Sequence, residues 1–221
     1  MSLNISAKDF VQWIRYTSGL AIYGFITYYL TKINLGLAPW EILSKGISLH
    51  CPLTFGQVII VVSVVILIID ILMKETIGVG MLLDAALVGV FVDVFTWLDP
   101  LPYVDALWIK IAVYLVGIVI MAFAQYLCMS SGQGLGPRDA LLVGMGKRMR
   151  HVPIGAVQMG TLITVFIIGW LLGGPVGPGT VLTMLGMGPM LQVWCRVFSF
   201  EPRDVKHKSF LDYIRKNDDA A

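Results

Sequence analysis

Two acidic side chains, Glu41 and Asp139, occupy the same place in two copies of one short pattern. The copies read GLAPWE at residues 36–41 and GLGPRD at residues 134–139. In each copy a glycine permits a tight turn, and a proline suits the first turn of a helix, where its missing N–H costs nothing. A carboxylate in that first turn complements the positive end of the helix dipole. It could instead bind a proton or a cation, and the sequence leaves both roles open.

The remaining positions of the two copies differ in an informative way. Gly36 and Gly134 open the copies, and Trp40 in the first corresponds to Arg138 in the second. Tryptophan suits a membrane interface and arginine is typical of the cytoplasmic side, so topology alone could explain the difference. Because all four residues flank the start of a short helix, we include them with the two acids among the candidate substrate-binding residues.

The match between the two halves of the chain extends well beyond these hexapeptides. At an offset of 98 positions, Tyr16 corresponds to Tyr114 and Leu43 to Leu141. One residue is then gained, and an offset of 99 positions matches a series of glycines: Gly56 with Gly155, Gly78 with Gly177, Gly80 with Gly179, and Gly89 with Gly188. An ordered series with a single gap indicates an internal duplication.

Two further acids, Asp84 and Asp93, fall inside a predicted membrane span. Ionisable groups are costly there and are usually functional. They are nine residues apart, and at about 100° per residue they lie on opposite faces of a helix, so they cannot pair within it. The duplication aligns Asp84 with Thr183 and Asp93 with Gln192, which makes both positions polar in both halves.

A glycine precedes each member of one aligned pair by four residues. Gly89 precedes Asp93, and Gly188 precedes Gln192. A glycine-lined face with a polar group below it lets helices approach closely around a small cavity. We therefore predict that Asp93 and Gln192 form a central polar pair that binds substrate, with Asp84 nearer the cytoplasmic mouth.

The chain that must position these residues is strongly apolar. Of its 221 residues 57% are hydrophobic and 14% are charged, and the mean hydropathy is +0.80; soluble domains carry about 25% charged residues. A membrane span needs roughly 20 apolar residues, and six segments qualify: 11–33, 55–73, 78–97, 107–129, 153–172 and 178–199. Segments 39–50 and 137–150 read as helices too short to cross, which either dip into the membrane or lie at its interface.

These segments predict an all-α membrane protein built from two repeats, residues 10–98 and 107–199, with a tail at 200–221. Each repeat has three spans and one short helix. Because three is odd, the repeats enter the membrane from opposite sides, which is the inverted-topology plan of many secondary transporters. Basic residues cluster in 130–152 and in the tail, whereas 98–106 contains none, so we expect both termini in the cytoplasm.

The sequence offers little support for metal, cofactor or enzyme chemistry. It lacks His-Glu-x-x-His, Gly-x-Ser-x-Gly and any Cys/His cluster, so we expect no metal, no cofactor and no enzymatic activity. A net charge of +2 gives no case for nucleic-acid binding. GGPVGPGT at 173–180 lacks the lysine of a phosphate loop and predicts a hairpin. Asp70, four residues before Lys74, predicts a simple surface ion pair.

At GLAPWE, GLGPRDAL and GGPVGPGTV the sequence resembles the YczE/YitT group of small bacterial integral membrane proteins. The resemblance extends from the first span to the last, and its second-half motif is the more specific part. It implies a bacterial inner-membrane protein of a kind commonly described as a transporter or a membrane component. It carries over no established catalytic residues.

We predict a small secondary transporter in the bacterial inner membrane, moving a small neutral, zwitterionic or cationic solute by alternating access. An acid at each short-helix start weighs against an anionic solute there. Coupling to protons or cations through Asp93, Asp84, Glu41 or Asp139 is compatible with this reading, as is a homodimer in the lipid bilayer. The alternatives are a membrane-embedded accessory or assembly factor without transport, and a narrow channel.

Overall fold

The computed structural model describes residues 7–75, 77–133, 136–149 and 151–200. These residues form eight helices: α1 Ala7–Ile33, α2 Pro39–Ser48, α3 Phe55–Leu72, α4 Val79–Leu98, α5 Leu107–Ser130, α6 Pro137–Arg148, α7 Ile154–Leu171 and α8 Pro178–Val197. Each helix falls on one predicted segment, with ends that differ by a few residues. The all-helical prediction is confirmed, while Gly134 and the tail from 201 onward lie outside the described residues.

Three of the helices, α3, α4 and α5, are long and apolar enough to cross a membrane, with 18, 20 and 24 residues. Their outer surfaces are apolar too, because α3 exposes Val61, Val65 and Ile68 to about half of their full extent. Side chains of this kind suit contact with lipid. α7 also contains a shorter apolar stretch, Gly155–Leu171. Spanning by α1, α7 and α8 stays a prediction.

The starts of the short helices follow directly from the sequence. Pro39 and Pro137 stand at the beginning of α2 and α6, where a missing N–H leaves no hydrogen bond unmade. α3 begins differently, with a capping box in which Thr54 and Gln57 satisfy each other's backbone N–H groups. The turn before α2 needs glycine, because Gly36 has a φ of 112° and a side chain there would collide with the start of α8.

α1 and α5 form the centre of the molecule. They pack on each other, α4 packs on α1, and α8 packs on α5. Tyr16 and Tyr114, one from each central helix, are almost fully buried in this core. The short helices pack across the molecule, α2 against α7 and α6 against α3.

Two backbone hydrogen bonds tie the first turns of α4 and α8 to distant parts of the chain. The N–H of Gly80 donates to the carbonyl of Gln133 at 3.2 Å, and the N–H of Gly179 donates to that of Leu35 at 2.8 Å. Gly179 lies 99 positions after Gly80, and Gln133 lies 98 positions after Leu35. The same connection is therefore made twice, in opposite directions between the halves.

The pairs α3/α4 and α7/α8 differ sharply. A side chain at Gly56 would overlap the carbonyl oxygen of Gly89, and one at Gly89 would overlap that of Gly56, so α3 and α4 touch through their backbones. At Gly155 and Gly188 no atom of the described residues lies within 4 Å of where a Cβ would be. α7 and α8 are not closely packed on each other over their described lengths. The first pair is closed and the second is open.

Candidate functional site

A cavity of about 460 Å³ lies between the starts of the two short helices, α2 and α6. Sites for small molecules usually measure about 300–1,000 Å³, so the space suits a small organic solute. Its wall includes parts of α1, α4, α5, α7 and α8. Six of the residues predicted from the sequence line it: Trp40, Glu41, Asp84, Arg138, Asp139 and Thr183.

An ion pair between the two hexapeptides forms one wall of the cavity. Arg138 donates from Nη1 to Oε1 of Glu41 at 2.7 Å, and the hydroxyl of Tyr23 donates to the same oxygen at 3.2 Å. Only 3% of the Glu41 side chain is exposed. The Arg138 guanidinium also lies over the Trp40 ring, 5.3 Å from its centroid, in cation–π geometry. Trp40 and Arg138, which occupy equivalent positions of the duplication, therefore meet each other.

This ion pair links the two halves of the chain at the starts of their short helices. Removing one partner of a buried pair typically costs about 3–5 kcal/mol, because the other charge is left uncompensated. Here Glu41 starts α2 and Arg138 starts α6. A movement that separates the starts of the two short helices must therefore break this contact.

Asp84 and Asp139 also face the cavity, within electrostatic range of Arg138. Neither carboxylate is among the hydrogen bonds or close ion pairs of the residues that the structure describes. Asp84, on α4, approaches the start of α6 closely, since a Cβ at Gly136 would lie 3.0 Å from its Oδ2. The cavity thus holds two further acids beside the Glu41–Arg138 pair.

Gly36 and Thr183 are joined through the hydroxyl of one tyrosine, Tyr114. The Tyr114 hydroxyl donates to the Gly36 carbonyl at 3.0 Å and lies 2.9 Å from Oγ1 of Thr183. Gly36 itself does not line the cavity, whereas Thr183 does. Gly36 is therefore needed for the turn before α2, whereas Thr183 contributes its hydroxyl to the cavity wall.

Asp93 and Gln192 do not form the predicted central pair, and neither lines the cavity. Asp93 accepts the N–H of Gly56 through Oδ1 at 2.8 Å and the Thr54 hydroxyl through Oδ2. The contact between Gly56 and Gly89 brings Asp93 onto the first turn of α3, where it caps the free N–H of Gly56. Gln192 is exposed on α8, where α7 stands apart. The central polar pair is Glu41–Arg138 instead.

The predicted surface pair of Asp70 and Lys74 is also wrong. The Asp70 side chain is fully buried, and neither of its carboxylate oxygens has a hydrogen-bond partner. The reason lies in the tertiary packing, because α6 covers this face of α3. Local spacing along one helix gave no sign of that cover.

Comparison with known proteins places the chain in a family. A family model described as a family of unknown function, DUF6198, matches residues 10–196. The chain belongs to DUF6198. The match takes in all eight helices almost to the end of α8, so the cavity, the two hexapeptides and the open α7/α8 pair all lie within the part of the chain that DUF6198 describes.

Three relatives of this DUF6198 protein have been found in two bacteria. An uncharacterized protein of Haemophilus influenzae is 31% identical over 83% of each chain. The uncharacterized membrane protein YczE of Bacillus subtilis is 29% identical over 82% of this chain and 84% of its own length. The uncharacterized protein YyaS of the same species is 25% identical over 83% of this chain and 92% of its own. No solved structure matches, and the predicted resemblance to YczE is confirmed.

Sequence reasoning missed Tyr23, which donates to Glu41 in the DUF6198 cavity, and the main contact within it. Tyr23 is an unremarkable tyrosine in an apolar helix, and nothing in its spacing links it to Glu41. The pairing of Glu41 with Arg138 spans 97 positions of chain. The only signal for it in the sequence was the similarity of the two hexapeptides, which marks residues 36–41 and 134–139 as related segments.

Proposed function

We propose that this DUF6198 protein is a small secondary transporter of the bacterial inner membrane that works by alternating access. In this proposal six helices span the membrane as two inverted repeats, residues 10–98 and 107–199, and both termini lie in the cytoplasm. α2 and α6 are half-helices that enter from opposite sides. The transported solute binds in the cavity between their starts.

The observation that carries the proposal is the meeting of Glu41 and Arg138 inside this cavity. Inverted-repeat transporters build their sites near the bilayer midplane from the starts of interrupted helices. The two short helices here begin beside one cavity, and their equivalent residues touch. The reciprocal hydrogen bonds of Gly80 and Gly179 further support a two-fold relation between the halves.

The unequal helix pairs supply the conformational part of the mechanism. In the proposed topology the contact of Gly56 with Gly89 closes the outer side, while the gap between Gly155 and Gly188 opens the cytoplasmic side. This arrangement corresponds to an inward-open state. Exchange of the two conformations between the halves closes α7 on α8 and parts α3 from α4, and the cavity then opens outward.

Uptake into liposomes tests this proposal. The purified protein is reconstituted and assayed with radiolabelled amino acids, amines, sugars and nucleosides, with the counterflow of a preloaded solute as the signature of a carrier. We expect at least one solute to exchange, and Arg138→Gln to slow it about tenfold or more because the ion pair is lost. Arg148→Gln, which removes a half-exposed arginine from the same helix, is the matched control and leaves exchange unchanged.

Failure of every solute to exchange above protein-free liposomes, with variant and control behaving alike, would contradict the transporter. Capture of a defined partner protein under the same conditions would favour an accessory or assembly factor. Conductance that does not saturate with solute concentration would favour a channel.

A further inference from the structure

We infer that the solute of this cavity is a lipophilic organic cation, a compound with one positive charge on a bulky apolar body. This inference rests on the proposed function and narrows its substrate class from neutral, zwitterionic or cationic solutes to this one. Three features of the cavity lead to it: its charges, the side chains of its wall and its open flank.

The charges of the cavity favour a cation. Glu41 and Arg138 neutralise each other at 2.7 Å, and the guanidinium face is already covered by Trp40. Asp84 and Asp139 lie within electrostatic range of the same arginine, so three acids share one base in this lining. No lysine or histidine among the described residues lines the cavity to balance them. Carboxylates shielded from bulk water need a counter-charge or a proton, so an added cation is stabilised and an added anion is repelled.

The side chains of the wall favour an apolar body on that cation. Four methionines line the cavity, Met129, Met159, Met184 and Met187. Methionine is flexible and polarizable, and surfaces rich in it adapt to apolar groups of varied shape. Leucines and the rings of two tyrosines complete much of the remaining wall. A compact hydrated cation would leave these surfaces uncovered, whereas an apolar body would bury them.

The open flank offers a route for such a compound. Gly155 and Met159 of α7, and Met187 and Gly188 of α8, border the cavity along the gap between these two helices. Met159 is about half exposed at this edge. Because α7 and α8 do not pack on each other, the gap leaves the cavity open between them, toward the cytoplasmic membrane surface in the proposed topology. A lipophilic cation accumulates at membrane surfaces and can enter from there.

Isothermal titration calorimetry tests the inference: purified protein in a neutral detergent is titrated with each of three ions. Tetraphenylphosphonium and tetraphenylborate share size and shape and differ in the sign of their charge, while tetramethylammonium keeps the positive charge without the bulk. We expect tetraphenylphosphonium to bind at least about tenfold more tightly than either of the others. Binding should weaken as the pH falls, because protons compete for Asp84 and Asp139.

A variant carrying Asp84→Asn and Asp139→Asn should bind tetraphenylphosphonium about tenfold more weakly or worse. Asp105→Asn, which changes an exposed acid outside the cavity, should bind it like the unaltered protein and so corrects for partition into the micelle. If the double variant does not fold, the comparison of the three ions on the unaltered protein decides alone. Equal binding of tetraphenylborate or tetramethylammonium, absence of tetraphenylphosphonium binding, or full binding by a folded double variant would overturn the inference.

Failure of this inference is distinguishable from failure of the transporter. Selective tetraphenylphosphonium binding, with no solute exchanging above protein-free liposomes, would support the cation site and end the transport proposal. Exchange of a neutral or zwitterionic solute, without tetraphenylphosphonium binding, would support transport and overturn the cation class.

Discussion

The helix pairs α3/α4 and α7/α8 carry equivalent glycines but are packed differently. In the first pair Gly56 and Gly89 touch, and Asp93 locks the contact by accepting hydrogen bonds from the start of α3. In the second pair the equivalent glycines have open space. Gln192, the counterpart of Asp93, makes no comparable bond to those residues at the start of α7 that the structure describes. The same small-residue surface is thus found both closed and open within one molecule.

The side chains at Asp93 and Gln192 also differ in the hydrogen bonds that they can make. A carboxylate at a helix start makes charge-assisted hydrogen bonds, which are roughly twice as strong as neutral ones. Asp93 can make them and Gln192 cannot. The closed state of α3/α4 therefore has an electrostatic latch, and a closed state of α7/α8 would rely on packing and weaker hydrogen bonds.

The ends of α4 and α8 differ in a similar way. Asp99, just past α4, accepts hydrogen bonds from Tyr28 and Lys32. At the equivalent position after α8, Phe198 stacks on Tyr126 with ring centroids 5.0 Å apart and the planes inclined by 13°. One end is held by charge and the other by aromatic packing.

The largest expected effect is a difference in stability between two variants, Gly56→Ala and Gly155→Ala. The new methyl group at Gly56 collides with the backbone of Gly89, and overpacking of this kind typically lowers the free energy of unfolding by about 1–3 kcal/mol. At Gly155 the methyl group enters open space, and alanine favours helix over glycine by up to about 1 kcal/mol. Thermal unfolding of the two variants in one detergent measures the difference.

The stable variant of this pair also reports on function. If α7 must close on α8 during each cycle, Gly155→Ala keeps the fold and slows exchange in liposomes. Full exchange activity together with unchanged stability would show that these glycines never come together.

A smaller effect is expected from Asp93→Ala compared with Gln192→Ala. Loss of Asp93 leaves the N–H of Gly56 and the Thr54 hydroxyl without their acceptor, which costs about 1–2 kcal/mol. Loss of the exposed Gln192 changes the free energy of unfolding by less than about 0.5 kcal/mol. Denaturant unfolding of both variants checks this, and equal losses would mean that the α3/α4 latch is not specific to Asp93.

The smallest expected effect is the loss, at acid pH, of the stability that Asp99 contributes at the end of α4. Hydrogen bonds from Lys32 and then Tyr28 hold the pKa of Asp99 below its ordinary value. A lowered pKa in the folded state gives stability that is fully present above the ordinary aspartate pKa of about 3.9 and is lost as the pH falls below it. Melting curves of the unaltered protein and Asp99→Asn should therefore converge at acid pH. The Tyr126–Phe198 stack has no group that titrates in this range, so Phe198→Leu should show no such convergence.

The sequence predicted the helices well and their contacts poorly, for physical reasons. Apolar runs and the prolines at Pro39 and Pro137 are local signals, so helix bounds could be predicted to within a few residues. Helical spacing places Asp93 on a face but does not tell which helix will cover that face. Asp70 was misread for the same reason, since its burial depends on α6 packing from elsewhere in the chain.

The cavity was predicted in part because its acids stand beside strong local signals. Glu41 follows one of the helix-starting prolines by two residues, and Asp84 is an acid in an apolar run. The pairing of Glu41 with Arg138 depends on how two distant halves fold onto each other. The types of these residues give no sign of that arrangement. The similarity of the two hexapeptides is the one feature of the sequence that relates them.

The central claim is that α3/α4 and α7/α8 open and close in turn. Two distances, one across each helix pair, test it most directly. Spin labels are attached at Leu53 and Trp97 beside the closed pair, or at the equivalent Val152 and Arg196 beside the open pair; all four residues are exposed. The native cysteines Cys51, Cys128 and Cys195 are first changed to serine. Double electron–electron resonance in lipid nanodiscs then gives the distance distribution of each pair.

The account predicts that any condition which changes one distance distribution, such as pH or an added solute, shifts the two pairs in opposite directions. As the short 53–97 distance loses population, the short 152–196 distance gains it by a similar fraction. Distances that stay short at 53–97 and long at 152–196 under every condition, or that shift together in one direction, would contradict alternating access.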